Sequence, residues 1–286
     1  MKYLVYLSFT LIAFSSWGQE EGSNNSLLSK AKDYYQEEKF ILAEKTFQEA
    51  LASSPESYEA QLGLADSKHK QEKYVDAIDA YDKAEKIKED DPELYFNRGA
   101  AKIFITEYKS AIKDFNRSDE LQADNAELHY YRGFCYGELE RYNAAINEYN
   151  RCIELDADFG AAYYNRGAAI AELGNFEASL KDFEMALEKD PELDNGRINI
   201  ALSKLGMKNY EAAVKDLTEV INKRDENLAR AYFYRGEARY ELGDKDLACS
   251  DWRRASNLDH ENATRNVNDF CSGKLAPKRK EIEIVF

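Results

Sequence analysis

The sequence predicts an all-α chain of seven stacked helical hairpins, and three observations carry that prediction. The first is composition: only 4 prolines and 14 glycines interrupt 286 residues, while Ala, Glu, Lys, Leu and Tyr dominate. Most of these residues lose little freedom in a helix, and the residue that breaks helices is scarce. The second is a repeat. Gly99, Gly133 and Gly167 recur every 34 residues; the same step reaches back to Ala65 and Ala31, and forward to Ala201 and, after a slip of one residue, Gly236. The third is that further series keep this register. Ala43, Ala77, Ala111, Ala145, Ser179, Ala213 and Ala248 are small, and so are most of Ala50, Ala84, Ser118, Cys152, Ala186, Val220 and Ala255. Phe47, Tyr81, Phe115, Tyr149, Phe183, Leu217 and Trp252 are large and apolar. A fixed period of this length marks stacked supersecondary units.

Residues 1–18 read as a secretory signal peptide. Lys2 supplies the positive start, Tyr3 to Phe14 the apolar run, and Ser15-Ser16-Trp17-Gly18 the small residues before a cleavage site. The run is too short to span a bilayer, which needs about 20 apolar residues. Cleavage after Gly18 predicts an exported product, periplasmic or secreted, with Gln19 at its start. No cysteine follows the run, so a lipid anchor is not expected. No later stretch is apolar enough to cross a membrane, so none is expected to insert after cleavage.

Residues 19–262 hold the hairpins. Within one unit, residues such as Ala145, Tyr149 and Cys152 fall at i, i+4 and i+7, one face of a helix. The small residue twelve positions before Ala145, Gly133, belongs to a separate preceding helix. Between the two lie turns such as Leu139-Glu140-Arg141-Tyr142, Leu173-Gly174-Asn175-Phe176 and Leu242-Gly243-Asp244. Small residues let the antiparallel helices approach, and the large residue fills the space beside them. One hairpin cannot bury its apolar face alone, so neighbours must stack.

This spacing resembles the tetratricopeptide repeat over about Asn24 to Asn262. Pro55 and Pro191 stand at that repeat's closing proline, with Glu89, Ala123, Ala157, Asp225 and His260 in the other units. Tyr95, His129, Tyr163 and Tyr232 match the aromatic four residues before the glycine. The resemblance implies a right-handed superhelical solenoid of seven hairpins, closed by a capping helix at 263–272. It implies a non-catalytic scaffold of an exported bacterial type that binds a protein or peptide, with no cofactor. The alternative is a structural subunit of an envelope complex that assembles with itself, so homo-oligomerisation stays open.

The resemblance also places ligands on the first helix of each hairpin, around the glycine. The corresponding residues are Phe96, Asn97, Tyr130, Tyr131, Phe134, Tyr164, Asn165, Asn199, Phe233 and Tyr234. Rings offer contact area at low entropic cost, and asparagine can bond an extended backbone. Each ring either faces ligand or packs between repeats; Asn97, Asn165 and Asn199 are the stronger candidates because an apolar core does not need them. Some family members hold a C-terminal carboxylate in a clamp of lysine, asparagine and arginine. Phe96 and Tyr130 occupy the lysine positions here, and Ala100 or Phe134 the second asparagine, so that clamp is not expected.

Arginine precedes the glycine at Arg98, Arg132, Arg166 and Arg235, and an acid follows sixteen residues later at Asp114, Glu148, Asp182 and Asp251. We expect an Arg–carboxylate pair within each of these four hairpins, since the planar guanidinium bonds carboxylates in bidentate fashion. If exposed, each contributes only about 0–1 kcal/mol.

Four cysteines in an exported chain allow three connectivities. The run Ala248-Cys249-Ser250-Asp251-Trp252, followed by Cys271, resembles an ending of bacterial envelope repeat proteins, which implies a Cys249–Cys271 disulfide over the cap. Cys135 and Cys152 lie at inward positions of one hairpin, as small buried thiols or as a second disulfide. Residues 273–286 form a flexible basic and alternating tail. Lys274, Lys278, Arg279 and Lys280 precede the alternation that ends in Ile284-Val285-Phe286, a segment suited to lying on the acidic body or pairing with a partner. A net charge of −15 repels phosphate backbones, so nucleic acid is not expected as a partner. Three histidines at unrelated repeat positions, no Gly-rich phosphate loop and no metal-spaced Cys/His cluster argue against an enzyme.

Overall fold

The computed structural model describes residues 25–122, 124–193, 195–223, 227–272 and 282–286. The proposed signal peptide and the Lys274, Lys278, Arg279 and Lys280 cluster lie outside the described residues. The regular elements among the described residues are all helices, and the chain divides into two compact units that meet in sequence between Leu155 and Asp156.

Unit 1 holds four hairpins. They are α1 (Asn25–Gln36) with α2 (Phe40–Ser53), α3 (Tyr58–Lys70) with α4 (Tyr74–Ile87), α5 (Pro92–Phe104) with α6 (Tyr108–Leu121), and α7 (Ala126–Glu138) with α8 (Tyr142–Leu155). Unit 2 holds α9 (Gly160–Glu172) with α10 (Phe176–Lys189), α11 (Gly196–Gly206) with α12 (Tyr210–Lys223), and α13 (Leu228–Glu241) with α14 (Lys245–Ser256). The closing helix α15 (Glu261–Phe270) starts two residues before the expected 263, because His260 caps it by accepting a hydrogen bond from the Ala263 N–H. Odd-numbered helices to α13 are the A helices and their partners the B helices. Within each unit every helix packs on the next one in sequence.

The repeat series are the core. Ala43, Ala77, Ala111, Ala145, Ser179, Ala213 and Ala248 are all 0% exposed, as are Phe47, Tyr81, Phe115, Phe183, Leu217 and Trp252. Each large side chain so buried stabilises by about 1.5–3 kcal/mol. The small A-helix residues exist to admit them. A Cβ on Gly99 would stand 2.9 Å from the Phe115 ring, and one on Gly236 2.6 Å from Trp252.

Every A–B turn passes through one left-handed residue at the same repeat position: Glu38, Glu72, Thr106, Glu140, Gly174, Lys208 and Gly243. That conformation costs an ordinary L-residue about 1–2 kcal/mol, and β-branching worsens it. Thr106, at φ 61°, is the worst placed. Thr106→Gly is therefore expected to raise stability by about 1 kcal/mol, read as a higher denaturation midpoint; no gain would mean that the threonine is held by contacts worth its strain.

Cys249 and Cys271 are disulfide-bonded, tying α14 to the residue that ends α15, with Cα atoms 5.7 Å apart. Cys135 and Cys152 are buried free thiols, and burial pushes the Cys135 thiol far up. Cys271→Ser is expected to cost this end of the chain about 3 kcal/mol by freeing the unfolded loop. Trp252, in contact with Phe270 across the α14–α15 junction, reports the change by its fluorescence during denaturation.

Candidate functional site

In unit 1 the aromatic residues of the A helices interlock. Phe96 packs on Phe115 and Tyr131, each at 5.9 Å between ring centroids, and Tyr130 packs on Tyr131 and Tyr149 at 5.2 and 6.1 Å. Phe134 meets Tyr108 edge-on. All of these A-helix rings are buried, so packing between helices is the role the structure gives them.

The asparagines differ from expectation. Asn97 is buried and donates to Asp66 Oδ1 at 3.2 Å, joining α5 to α3. Asn199 is fully buried and donates to the Tyr164 hydroxyl at 2.9 Å, joining α11 to α9. A stack of hairpins buries polar positions wherever the previous hairpin supplies a partner, so these two amides serve the stack. Asn165 alone of the ten candidates is half-exposed.

Three of the four arginines, Arg98, Arg132 and Arg235, sit in buried networks, and Arg166 is half-buried. Arg98 forms a fork on Asp114, with Nε to Oδ2 at 3.0 Å and Nη2 to Oδ1 at 2.8 Å. Arg166 does the same to Asp182, and Arg235 to Asp251. Arg132 reaches Glu148 through Nη2 at 2.9 Å, beside His129, whose Nδ1 lies 2.9 Å from the same carboxylate. Burial raises the Glu148 pKa, but bonds from His129 and Arg132 outweigh it and hold the carboxyl below its ordinary value. The free end of the guanidinium goes backward to the preceding B helix: Arg98 to Asp82 and Glu85, Arg132 to Asn116 and Asp119, Arg235 to Thr218. Arg98, Arg132 and Arg235 thus fasten adjacent hairpins to one another, and Arg166 bonds Asp182 within its own hairpin.

Unit 2 presents a different A-helix face, because Ile282–Phe286 lies on it. Ile282, Ile284 and Phe286 are half-buried against the core of this unit, while Glu283 and Val285 point to solvent. The Val285 N–H donates to the Tyr234 hydroxyl at 3.0 Å, and that hydroxyl lies 3.5 Å from the Glu283 carbonyl, to which it donates. Arg230, one helical turn earlier on α13, donates to the Val285 carbonyl. Burial raises the Tyr234 pKa, against the Val285 and Arg230 contacts, so its hydroxyl keeps the proton it donates. Phe286 stacks on Phe183 at 5.9 Å and 7°, and on Phe176 at 6.1 Å. Phe233, next to Tyr234, is buried under the His260 ring at 4.2 Å. Arg230 and Phe176 were absent from the sequence-derived candidates. Arg230 was within reach, since i and i+4 share a helix face with Tyr234.

The remaining titratable groups have structural surroundings. His69 is buried among Tyr74 and Phe104. Among the described residues no group of three or more His, Cys, Asp or Glu is placed to hold a metal ion, and no helix is long and apolar enough to cross a membrane.

Comparison with known proteins adds the family. Sequence models of the tetratricopeptide repeat match residues 28–92 and 198–256, and a further model of the same repeat matches 135–174. Together they take in more than half of the chain. No curated protein matches it. Among solved structures, a tetratricopeptide repeat protein from Parabacteroides merdae is 20% identical, aligns over 86% of this chain and 97% of its own, and has a TM-score of 0.61. A crystal structure of MamA is 25% identical over 57% of this chain and 95% of its own, with a TM-score of 0.54. YrrB, described as a TPR protein with an unusual peptide-binding site, is 21% identical over 58% of this chain and 86% of its own, also at 0.54. These likenesses concern the fold.

Proposed function

The chain belongs to the tetratricopeptide-repeat family, and from that membership we propose that it is a non-catalytic scaffold that binds extended peptide segments of a protein partner in the bacterial envelope or exterior. The observation that carries the reading is on α13. Tyr234 and Arg230 bond the backbone of Val285, and Tyr234 also that of Glu283, so this face reads an extended main chain. YrrB, whose description names a peptide-binding site, offers a precedent on the same fold. The exported location rests on residues 1–18, as read from sequence. Each of the three histidines is engaged in packing, an ion pair or a cap.

A photo-crosslinking amino acid tests the reading. Placed at Asn165 on an A helix it should yield partner adducts from an envelope extract, and placed at the exposed Lys181 of a B helix it should not. Adducts of equal yield at both sites, or at Lys181 alone, would remove the A-helix face as the binding surface. Light scattering addresses self-assembly: a large, stable homo-oligomer of the purified chain from Gln19 onward would favour the structural-subunit alternative.

A further inference from the structure

We propose that the α13 face of unit 2 is a binding site for short extended segments with apolar residues at alternate positions, and that Ile282–Phe286 occupies it as the chain's own competing ligand. The inference rests on the scaffold reading and specifies its ligand.

The segment is bound as a ligand would be. Its residues alternate, with Ile282, Ile284 and Phe286 turned to the protein and Glu283 and Val285 turned away, the period-2 pattern of an extended strand. Its backbone is bonded by side chains: both the N–H and the C=O of Val285 are satisfied, by Tyr234 and Arg230 respectively. Main-chain bonds of this kind accept any extended sequence, and selectivity then lies in the apolar contacts. The aromatic contact belongs to Phe286, whose ring lies parallel to Phe183 and also on Phe176. Phe183 belongs to the fully buried repeat series, so the ring at this subsite is held rigid. The Arg230 cation also lies 5.9 Å over the Tyr234 ring, which keeps the two backbone-reading groups together.

The tether makes the segment a competitor and not merely a wall of the fold. It follows Cys271 closely in the chain, and the disulfide to Cys249 holds that residue on unit 2. A short covalent connection sets an effective concentration of about 1 mM. A segment with an intrinsic Kd of about 100 μM would then fill the site most of the time and weaken any incoming peptide about ten-fold.

The experiment compares the chain from Gln19 to Phe286 with the same chain ending at Glu281, using as probe the fluorophore-labelled hexapeptide of residues 281–286 and reading fluorescence anisotropy. The shortened chain should bind the probe about ten-fold more tightly than the full one. Within the shortened chain Arg230→Ala and Tyr234→Phe should each weaken binding several-fold, and a probe with alanine for Ile284 and Phe286 should not bind. Circular dichroism establishes that the shortened chain keeps its helicity; if it does not, the point variants Phe286→Ala and Val285→Pro in the full chain take its place, with the same gain in probe affinity expected. Equal affinity of full and shortened chains, or no saturable binding by a folded shortened chain, overturns the proposal. So does a sedimentation coefficient that rises with concentration for the full chain and not for Phe286→Ala, since the segment would then dock on a second copy. Partner adducts at Asn165 with no probe binding would leave the scaffold reading standing without this ligand; probe binding without any adduct would do the reverse.

Discussion

Replacing Arg98 with alanine is expected to cost about 3 kcal/mol, the lower end of the range for removing one partner of a buried ion pair. Arg98 and Asp114 side chains are each 7% exposed, far from the exposed regime in which a pair contributes almost nothing. Alanine would leave Asp114 buried with Lys102, at 2.7 Å, as its remaining cation, which is why the lower end applies. It would also release Asp82 and Glu85 of α4, so three helices lose their common tie. Arg98→Lys keeps the charge but cannot fork, and should recover about half of the loss. Arg117→Ala, which breaks an exposed i,i+3 pair with Glu120, is the control and should stay within about 0.5 kcal/mol. Denaturation followed by circular dichroism gives the totals, and hydrogen exchange should place the Arg98 loss in α4, α5 and α6. An Arg98→Ala cost no larger than that of Arg117→Ala would mean that the network adds nothing net.

The Arg98 network also marks how far the sequence could be read. The 34-residue period fixes seven hairpins, because small and large residues in register can only mean helices packed at a constant spacing. The sixteen-residue step from arginine to acid was visible for the same reason: both ends lie inside one repeat. What lay beyond one repeat was hidden. Asp82 and Asn116 also stand sixteen residues from their arginines, on the other side, yet nothing within a single hairpin says that the guanidinium turns back to meet them. The partners of Asn97 and Asn199 were hidden on the same ground, since Asp66 and the Tyr164 hydroxyl come from the preceding hairpin. Glycine marks the left-handed position at Gly174 and Gly243, whereas at Glu38, Glu72, Thr106, Glu140 and Lys208 the fold overrides residue preference. The alternation of Ile282, Ile284 and Phe286 announced an extended segment; its seat on Tyr234, Arg230 and Phe183 depended on packing that no local pattern encodes.

Asp66 and His69 should give unit 1 two opposed pH responses that cancel in the parent and separate in variants. Asp66 is fully enclosed, and burial raises its pKa to about 7. The hydrogen bonds from Tyr81 at 2.5 Å and Asn97 pull the other way, and the charges of Glu93 and Asp91 add to the rise. Tyr35 and Tyr58 also face this carboxyl, whose charge adds to the upward shift that burial gives their phenols; Lys70 is the neighbouring cation. His69, one turn along α3, is pushed down to about 4, by burial and then by Lys70. For Asp66 the folded chain holds a proton that the unfolded chain gives up near pH 3.9, so its contribution is whole below that pH and is lost as pH rises through about 7. For His69 the unfolded chain takes a proton near pH 6.5 that the folded chain refuses until about 4, so its contribution is whole above 6.5 and is lost as pH falls through 4. Each slope is about 1.4 kcal/mol per pH unit and their signs are opposite, so between about pH 4 and 6.5 the two sum to nearly zero. Asp66→Asn removes one arm: relative to the parent, unit 1 should gain about 3 kcal/mol as pH rises from 4 to 6.5. His69→Phe removes the other, and relative to the parent should lose a similar amount over the same interval. Hydrogen exchange in α3 to α5, corrected for the intrinsic pH dependence of exchange, reads both. Parallel pH profiles for parent and variants would mean that neither group is held away from its ordinary protonation by burial, and the enclosed polar cluster between α3, α4 and α5 would have to be hydrated.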